Sequence, residues 1–275
     1  MRIVHTKSAW EFTSPGSDDP FADFVTRAAG DGFGGLELFL PLLEESPSRV
    51  AQAMEAHGLD HLVIDVITEG DNPADHRASF DAAIGQAATY GPALINSHTG
   101  RDIFPFDENV ALFDHAVAVS ESVGIPIVHE THRFRPTYSA IETRRYLEEV
   151  PDMLLNADLS HWFVVHESDL RDQDGAIDLA LSRSRHIHAR VGFEEGPQIS
   201  HPNDPRWSTQ VERHVELWQR IVDHCASAGV ETLAITPEFG PFPYVPMQAF
   251  SDEPVADPWD ANVAMRDLVA DRLSV

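Results

Sequence analysis

The sequence predicts a single (β/α)8 barrel spanning residues 1–275, and three observations carry that expectation. Short aliphatic runs of strand character recur eight times along the chain. Each run is followed by a stretch of helical pattern bracketed by turn residues. No dinucleotide fingerprint joins a strand to a helix: the glycines of DGFGG (31–35) and AAIGQAATYG (82–91) do not fit G-x-G-x-x-G. That sets the barrel ahead of a doubly wound open sheet.

The elements follow in order. RIVHTKS (2–8) is the first strand, and the helical stretch Pro20–Ala29 after it ends at Gly30. GLELFL (35–40) precedes Ser46–His57, which opens with a Ser-Pro cap pair and stops at Gly58. HLVIDVIT (61–68) precedes a helix opened by Asn72-Pro73 that runs to Tyr90 and ends at Gly91-Pro92. LINSHTG (94–100) leads to Glu108–Val123, closed by Gly124, and PIVHETH (126–132) leads to Ser139–Glu149, which ends before Pro151. LLNADLSH (154–161) is followed by Asp174–Ser184, and HIHARVG (186–192) by the long Pro205–Ala228. TLAITPEFG (232–240) and Pro258–Leu273 close the chain. Two proline-rich loops follow late strands, Gly192–Trp207 and Gly240–Asp257, and the first is expected to act as a lid that sets specificity.

Composition narrows the partners. There are 19 Lys+Arg against 45 Asp+Glu, a formal charge of −26, and Lys7 is the only lysine. A surface that grips nucleic-acid phosphates or an anionic membrane needs clustered basic residues, so neither is expected as a partner. The single cysteine, Cys225, excludes an internal disulfide and a cysteine zinc site within one chain. No run approaches the ~18 apolar residues of a membrane span. A soluble, cytoplasmic protein is expected, with homo-oligomers a possibility of the scaffold. The 15 histidines stand out, many of them beside apolar strand runs.

In such a barrel the chemistry sits at the carboxyl ends of the strands. Alternate residues share a face, which pairs Glu130 with His132, Asn156 with Asp158, Asn96 with His98, and Thr236 with Glu238, and aligns His186, His188 and Arg190. Glu130, Asp158 and Glu238 each end an otherwise apolar strand. A lone carboxylate there is costly to ionise, and only Arg190 is placed to offset three of them. A divalent metal is the economical solution. Three carboxylates with His188 give an oxygen/nitrogen shell suited to Mn²⁺ first, with Mg²⁺, Co²⁺ or Zn²⁺ as alternatives.

The stretches HETHR (129–133), ADLSH (157–161), HIHARVG (186–192) and TPEFGP (236–241), in this order at successive late strands, resemble the xylose isomerase-like TIM-barrel superfamily. ARVGFEEGPQISHP (189–202) is similar to a loop of members described as sugar phosphate isomerases/epimerases. The resemblance spans all eight units. It implies Glu130, Asp158, His188 and Glu238 as metal ligands, and His161 as a histidine touching substrate oxygen near the metal. Arg190 matches only loosely, because related epimerases place an arginine further into the loop. The implied activity is isomerisation or epimerisation of a sugar, keto-sugar or keto acid by proton transfer through a metal-stabilised enediolate. Glu130 and Glu238 would take and return the proton, while His161, His188 and Arg190 hold oxygens.

Quieter readings stand beside these. A strand-end carboxylate can cap a helix or pair with an arginine, and His188 or the deeper His186 can be a core histidine. His98 and His5 divide between pocket lining and packing, and Glu37 between substrate contact, a supporting carboxylate and structure. Trp10, Phe12, Phe239, Phe242 and Tyr244 either wall a sugar pocket or pack loops. Other functions on this scaffold are a dehydratase or lyase, a metal-dependent endonuclease or phosphodiesterase, and a non-catalytic binding barrel. The charge of −26 weighs against DNA.

Overall fold

In the computed structural model, which describes residues 1–275, eight parallel strands close a barrel in sequence order. They are β1 (Arg2–Ser8), β2 (Gly35–Phe39), β3 (His61–Ile67), β4 (Leu94–His98), β5 (Ile127–Glu130), β6 (Leu154–Ala157), β7 (Ser184–Ala189) and β8 (Thr232–Pro237). β8 pairs back onto β1, from Arg2 opposite Thr232 to His5 opposite Ile235. Outside lie α1 (Pro20–Gly30), α2 (Pro47–His57), α3 (Pro73–Ala88), α4 (Phe106–Val123) and α5 (Ala140–Glu149). The set continues with α6 (Ser160–His166), α7 (Asp174–Arg183), α8 (Ser208–Ser227) and α9 (Pro258–Arg272).

The expected boundary signals do their work. Ser46 and Asn72 accept backbone N–H bonds as N-caps before a proline in the first turn. Gly124 ends α4 at φ 68°, a backbone that costs a residue with a Cβ. The strand run 154–161 breaks early, however. β6 stops at Ala157, and Ser160 and His161 begin a helix that aliphatic periodicity did not announce. The long helical stretch from Pro205 starts as a single 3-10 turn and becomes α-helical at Ser208.

The barrel interior is graded from bottom to mouth. Val4, Val63, Leu94, Val128 and Ala234 form an apolar plug. Two residues further along the strands, on the same face, come Thr6, Asp65, Asn96, Glu130 and Thr236, joined by Glu37 of β2. Two further again are Ser8, Phe39, Ile67, His98 and Glu238, all lining one cavity. The larger apolar mass lies between barrel and helices, where Leu155, Ile187, Leu233 and Ile235 pack against Trp162, Phe163, Trp218 and Ile221. That dry base and shell fix the strands, so the polar layer above can hold costly charges in place. No helix is long and apolar enough to cross a membrane.

Candidate metal and substrate site

The cavity at the mouth holds about 210 Å³ and is lined by Glu37, Asp65, His98, Glu130, Arg190 and Glu238, with Trp10 and Tyr244 at its rim. Against three of these carboxylates, Glu37, Glu130 and Glu238, stands the His188 ring, 1% exposed. Its Nε2–H donates to Glu37 Oε1 at 2.9 Å, and the other Glu37 oxygen accepts the Thr236 hydroxyl. Thr236 in turn sits 2.9 Å from His186 Nε2 and 2.6 Å from the Thr6 hydroxyl. Glu37 is therefore engaged at both oxygens from below, and this fixes the tautomer of His188 with Nδ1 facing the carboxylates above.

Nδ1 of His188 lies 2.9 Å from Glu238 Oε2 and 3.4 Å from Glu130 Oε2. Ligand atoms of Glu130, Asp158 and His188 all lie within 4.8 Å of one another. The structure thus brings together the carboxylates and the imidazole that the sequence singled out. Asp158 is wholly buried behind the others. Its Oδ1 accepts the Ser160 N–H and hydroxyl, at 3.1 and 2.5 Å, and its Oδ2 pairs with the Arg190 guanidinium. Arg190 also lies 3.5 Å from Glu238 and spans to His161 Nε2 at 3.0 Å. His98 approaches Glu130 at 3.3 Å and Asp65 at 3.5 Å, and Asn96 donates to both carboxylates.

Electrostatics follow from burial and neighbours. Burial, with Glu238 and Asp65 nearby, pushes Glu130 up to about 7. Burial would raise Glu238 too, but His188 and Arg190 outweigh it and hold it at about 2. Burial opposes a charge on His188, yet Glu238, Glu37 and Glu130 raise it well above the ordinary imidazole range. Burial, then His132 and Arg190, holds His161 neutral, well below that range.

A divalent ion fits this donor set on a direct observation. His188 Nδ1 and Glu238 Oε2 are both buried and neither makes a hydrogen bond, although they are 2.9 Å apart. With Nε2–H committed to Glu37, loss of the Nδ1 proton would leave that nitrogen and Glu238 Oε2, with Glu130 alongside, presenting lone pairs to a common point.

Local sequence explains the positioning. Gly192, just past β7, lies so close to Ser160 that a Cβ would come within 2.6 Å of its carbonyl oxygen. This contact locks the Arg190 loop onto the Asp158–Ser160 turn. The loop 192–207, expected as a lid, contributes nothing to the cavity lining. Gln198 instead exchanges two hydrogen bonds with the backbone of Gly240, bracing the loop that carries Tyr244. Trp10 meets Tyr244 edge-on at 5.2 Å, so the first and last loops share one aromatic rim.

Sequence reasoning missed Asp65, Asn96 and Ser160 as site residues. Asp65 carried a signal: an acid in an aliphatic run, at the interior parity of its strand. Asn96 was placed on the face of His98 without a role. Ser160 gave no signal, because the helix that starts there was not expected.

A family profile described as xylose isomerase-like TIM barrel matches residues 25–195, more than half of the chain. No curated protein sequence matches it. Among solved structures, L-ribulose 3-epimerase is 13% identical, with TM-score 0.65 over 99% of this chain and 95% of its own. A probable 3-DHS dehydratase from Bacillus anthracis is 15% identical, with TM-score 0.64 over 99% and 100%. A xylose isomerase-like TIM barrel protein from Mycobacterium smegmatis, in complex with magnesium, is 12% identical, with TM-score 0.62 over 98% of each chain. At these identities the structures share the fold. The family profile carries the assignment, and the chain belongs to the xylose isomerase-like TIM-barrel family.

Proposed function

We propose that the protein is a divalent-metal-dependent isomerase or epimerase of a sugar, keto-sugar or keto acid. The observation that carries this reading is the placing of Glu130 and Glu238 on one imidazole nitrogen, at 3.4 and 2.9 Å, at the barrel mouth. Glu130, Asp158, His188 and Glu238 would hold the ion, with Mn²⁺ the best match to three carboxylates and one nitrogen. Bound there, it supplies Lewis acidity for the negative charge that develops on the substrate's carbonyl and hydroxyl oxygens.

The protein's own groups do the rest. One of Glu130 and Glu238 takes the proton from the carbon beside the carbonyl and the other returns it. Glu37 holds His188 in a single tautomer. Arg190, whose Nη1 is buried without a partner, and His161, whose Nδ1 is likewise free, have donors left for substrate oxygens. The apolar walls of Phe39, Ile67 and Trp10 limit water around the reacting carbons.

A dehydratase uses the same first proton abstraction and differs in the group that leaves. The family membership keeps it as the second reading, since a probable dehydratase shares the fold. A sugar and keto-acid panel with added Mn²⁺ in D₂O tests both. Proton-transfer isomerisation places deuterium on the product carbon, and dehydration instead gives an unsaturated product. Glu130→Gln and Glu238→Gln are each expected to lower turnover at least ~10²-fold with the circular dichroism spectrum retained. Wild-type-like turnover in either variant rejects the assignment.

A further inference from the structure

A second groove, of about 930 Å³, opens beside the central cavity over the ends of β3, β4 and β5 and shares Ile67, His98 and His132 with it. Its other wall holds Arg101, Phe134 and Arg135. Phe134 is 53% exposed and sits at φ 72°, a left-handed backbone that is strained for a bulky residue. Its ring lies 4.5 Å from the Arg101 guanidinium and 5.7 Å from that of Arg135. Arg135 is buried and braced, donating to the carbonyls of Thr68 and Gly100 at 3.1 and 3.0 Å. The Arg101 side chain makes no hydrogen bond, and its Nε is buried without a partner.

Neither guanidinium lies within 4.0 Å of a carboxylate. The chain holds 45 acids against 19 bases, so acidic partners are plentiful around them. Glu69, Asp71 and Asp75 line the same groove, yet none pairs with Arg101 or Arg135. Two neighbouring positive groups, one with an idle buried Nε–H, flank a strained aromatic residue and pair with none of these acids. That arrangement is costly unless an anion arrives to use it.

We propose that the substrate carries an anionic group, a carboxylate or a phosphate, which Arg101 seats over Phe134 in this groove while the reacting carbons occupy the central cavity. The proposal rests on the isomerase reading for what fills that cavity, but the anion site itself stands on the groove. Arg135 adds charge from beneath and keeps the β3 and β4 loops in register. Planar, bidentate donation to a carboxylate or phosphate suits a guanidinium already stacked on a ring.

The test measures calorimetric binding to the Mn²⁺-loaded protein of the D-ketohexoses, their 6-phosphates and the corresponding 6-carboxylates. At least one charged ligand is expected to bind 10- to 100-fold more tightly than its neutral parent. Arg101→Gln should collapse that ratio, with Arg101→Lys keeping part of it. The phosphate and carboxylate arms show which anion is preferred. No preference for charged ligands, or a preference that Arg101→Gln leaves unmoved, overturns the proposal. Conversion assays on the same ligands separate it from the isomerase reading. Arg101-dependent anion binding without conversion sinks the latter alone, and conversion of neutral ketoses with no anion preference sinks the subsite alone.

Discussion

Acidification should unfold this protein through its buried neutral histidines, and His214 gives the cleanest case. It lies on α8, fully buried, with its ring stacked on Phe163 at a centroid distance of 4.1 Å. Nδ1–H donates to the Gln210 carbonyl at 2.9 Å, and Nε2 accepts the Gly192 N–H at 3.3 Å. A proton on Nε2 would abolish that acceptor, and burial disfavours the charge. Burial therefore lowers His214 to about 4, against an ordinary 6.5. The sign follows from proton counting. Between pH 6.5 and 4 the unfolded chain binds a proton that the folded chain refuses, so stability is complete above 6.5 and falls as pH drops. At pH 5 the loss from this residue is about 2 kcal/mol.

The test is His214→Gln, whose amide oxygen can still accept the Gly192 N–H but does not titrate. Urea unfolding with EDTA present, at pH 8 and pH 5, gives the stability gap between wild type and variant at each pH. At pH 8 the variant should be less stable, by roughly 1 kcal/mol for the lost ring contact. At pH 5 the gap should shrink by about 2 kcal/mol and so invert. Other buried histidines, such as His129 at about 3 and His76 at about 4, are common to both proteins and cancel. An equal gap at the two pH values would refute the argument.

Two further outcomes test the site. Arg190→Met strips the partner from wholly buried Asp158, so in EDTA it should cost about 3–5 kcal/mol in urea unfolding. Saturating Mn²⁺ should recover part of that loss by placing a cation beside the same carboxylate, whereas equal midpoints for variant and wild type in EDTA would contradict it. Glu37→Gln should weaken Mn²⁺ binding by about 10- to 100-fold in calorimetry, because His188 loses its anionic support; unchanged affinity would show that Glu37 does not orient the ring.

How much of the fold and the site is readable in the chain depends on the range of the physics involved. Strand and helix order is legible because each element carries its own local pattern: Asn72-Pro73 opens α3 and Gly124 closes α4 whatever surrounds them. Strand parity also survives folding. The interior pairs Asn96 and His98, and Thr236 and Glu238, follow from counting by two once the barrel is granted, whereas on β1 the inward residues are Thr6 and Ser8 and not His5, which the sequence singled out. The limits appear where local pattern yields to long-range contact. LLNADLSH reads as one strand, yet Asp158 bends away to meet Arg190 and Ser160 caps it, so His161 starts a helix.

Charge pairing is the least legible feature, because it joins residues distant in sequence. Glu37 meets His188 across 151 positions, and Asp158 meets Arg190 across 32. One arginine against three acids at the strand ends points, in the sequence, to a cation. In the folded barrel the compensation is divided between two side chains. Arg190 neutralises Asp158 directly, and His188 stands between Glu130 and Glu238. Without a cation, the imidazolium form of His188 covers the two glutamates. An incoming divalent ion has to displace that proton, since a ligating imidazole donates the lone pair the proton occupies. The same geometry that would hold a metal therefore keeps the metal-free barrel from holding an uncompensated cluster of carboxylates, so the acidic site can fold with its charges already paired.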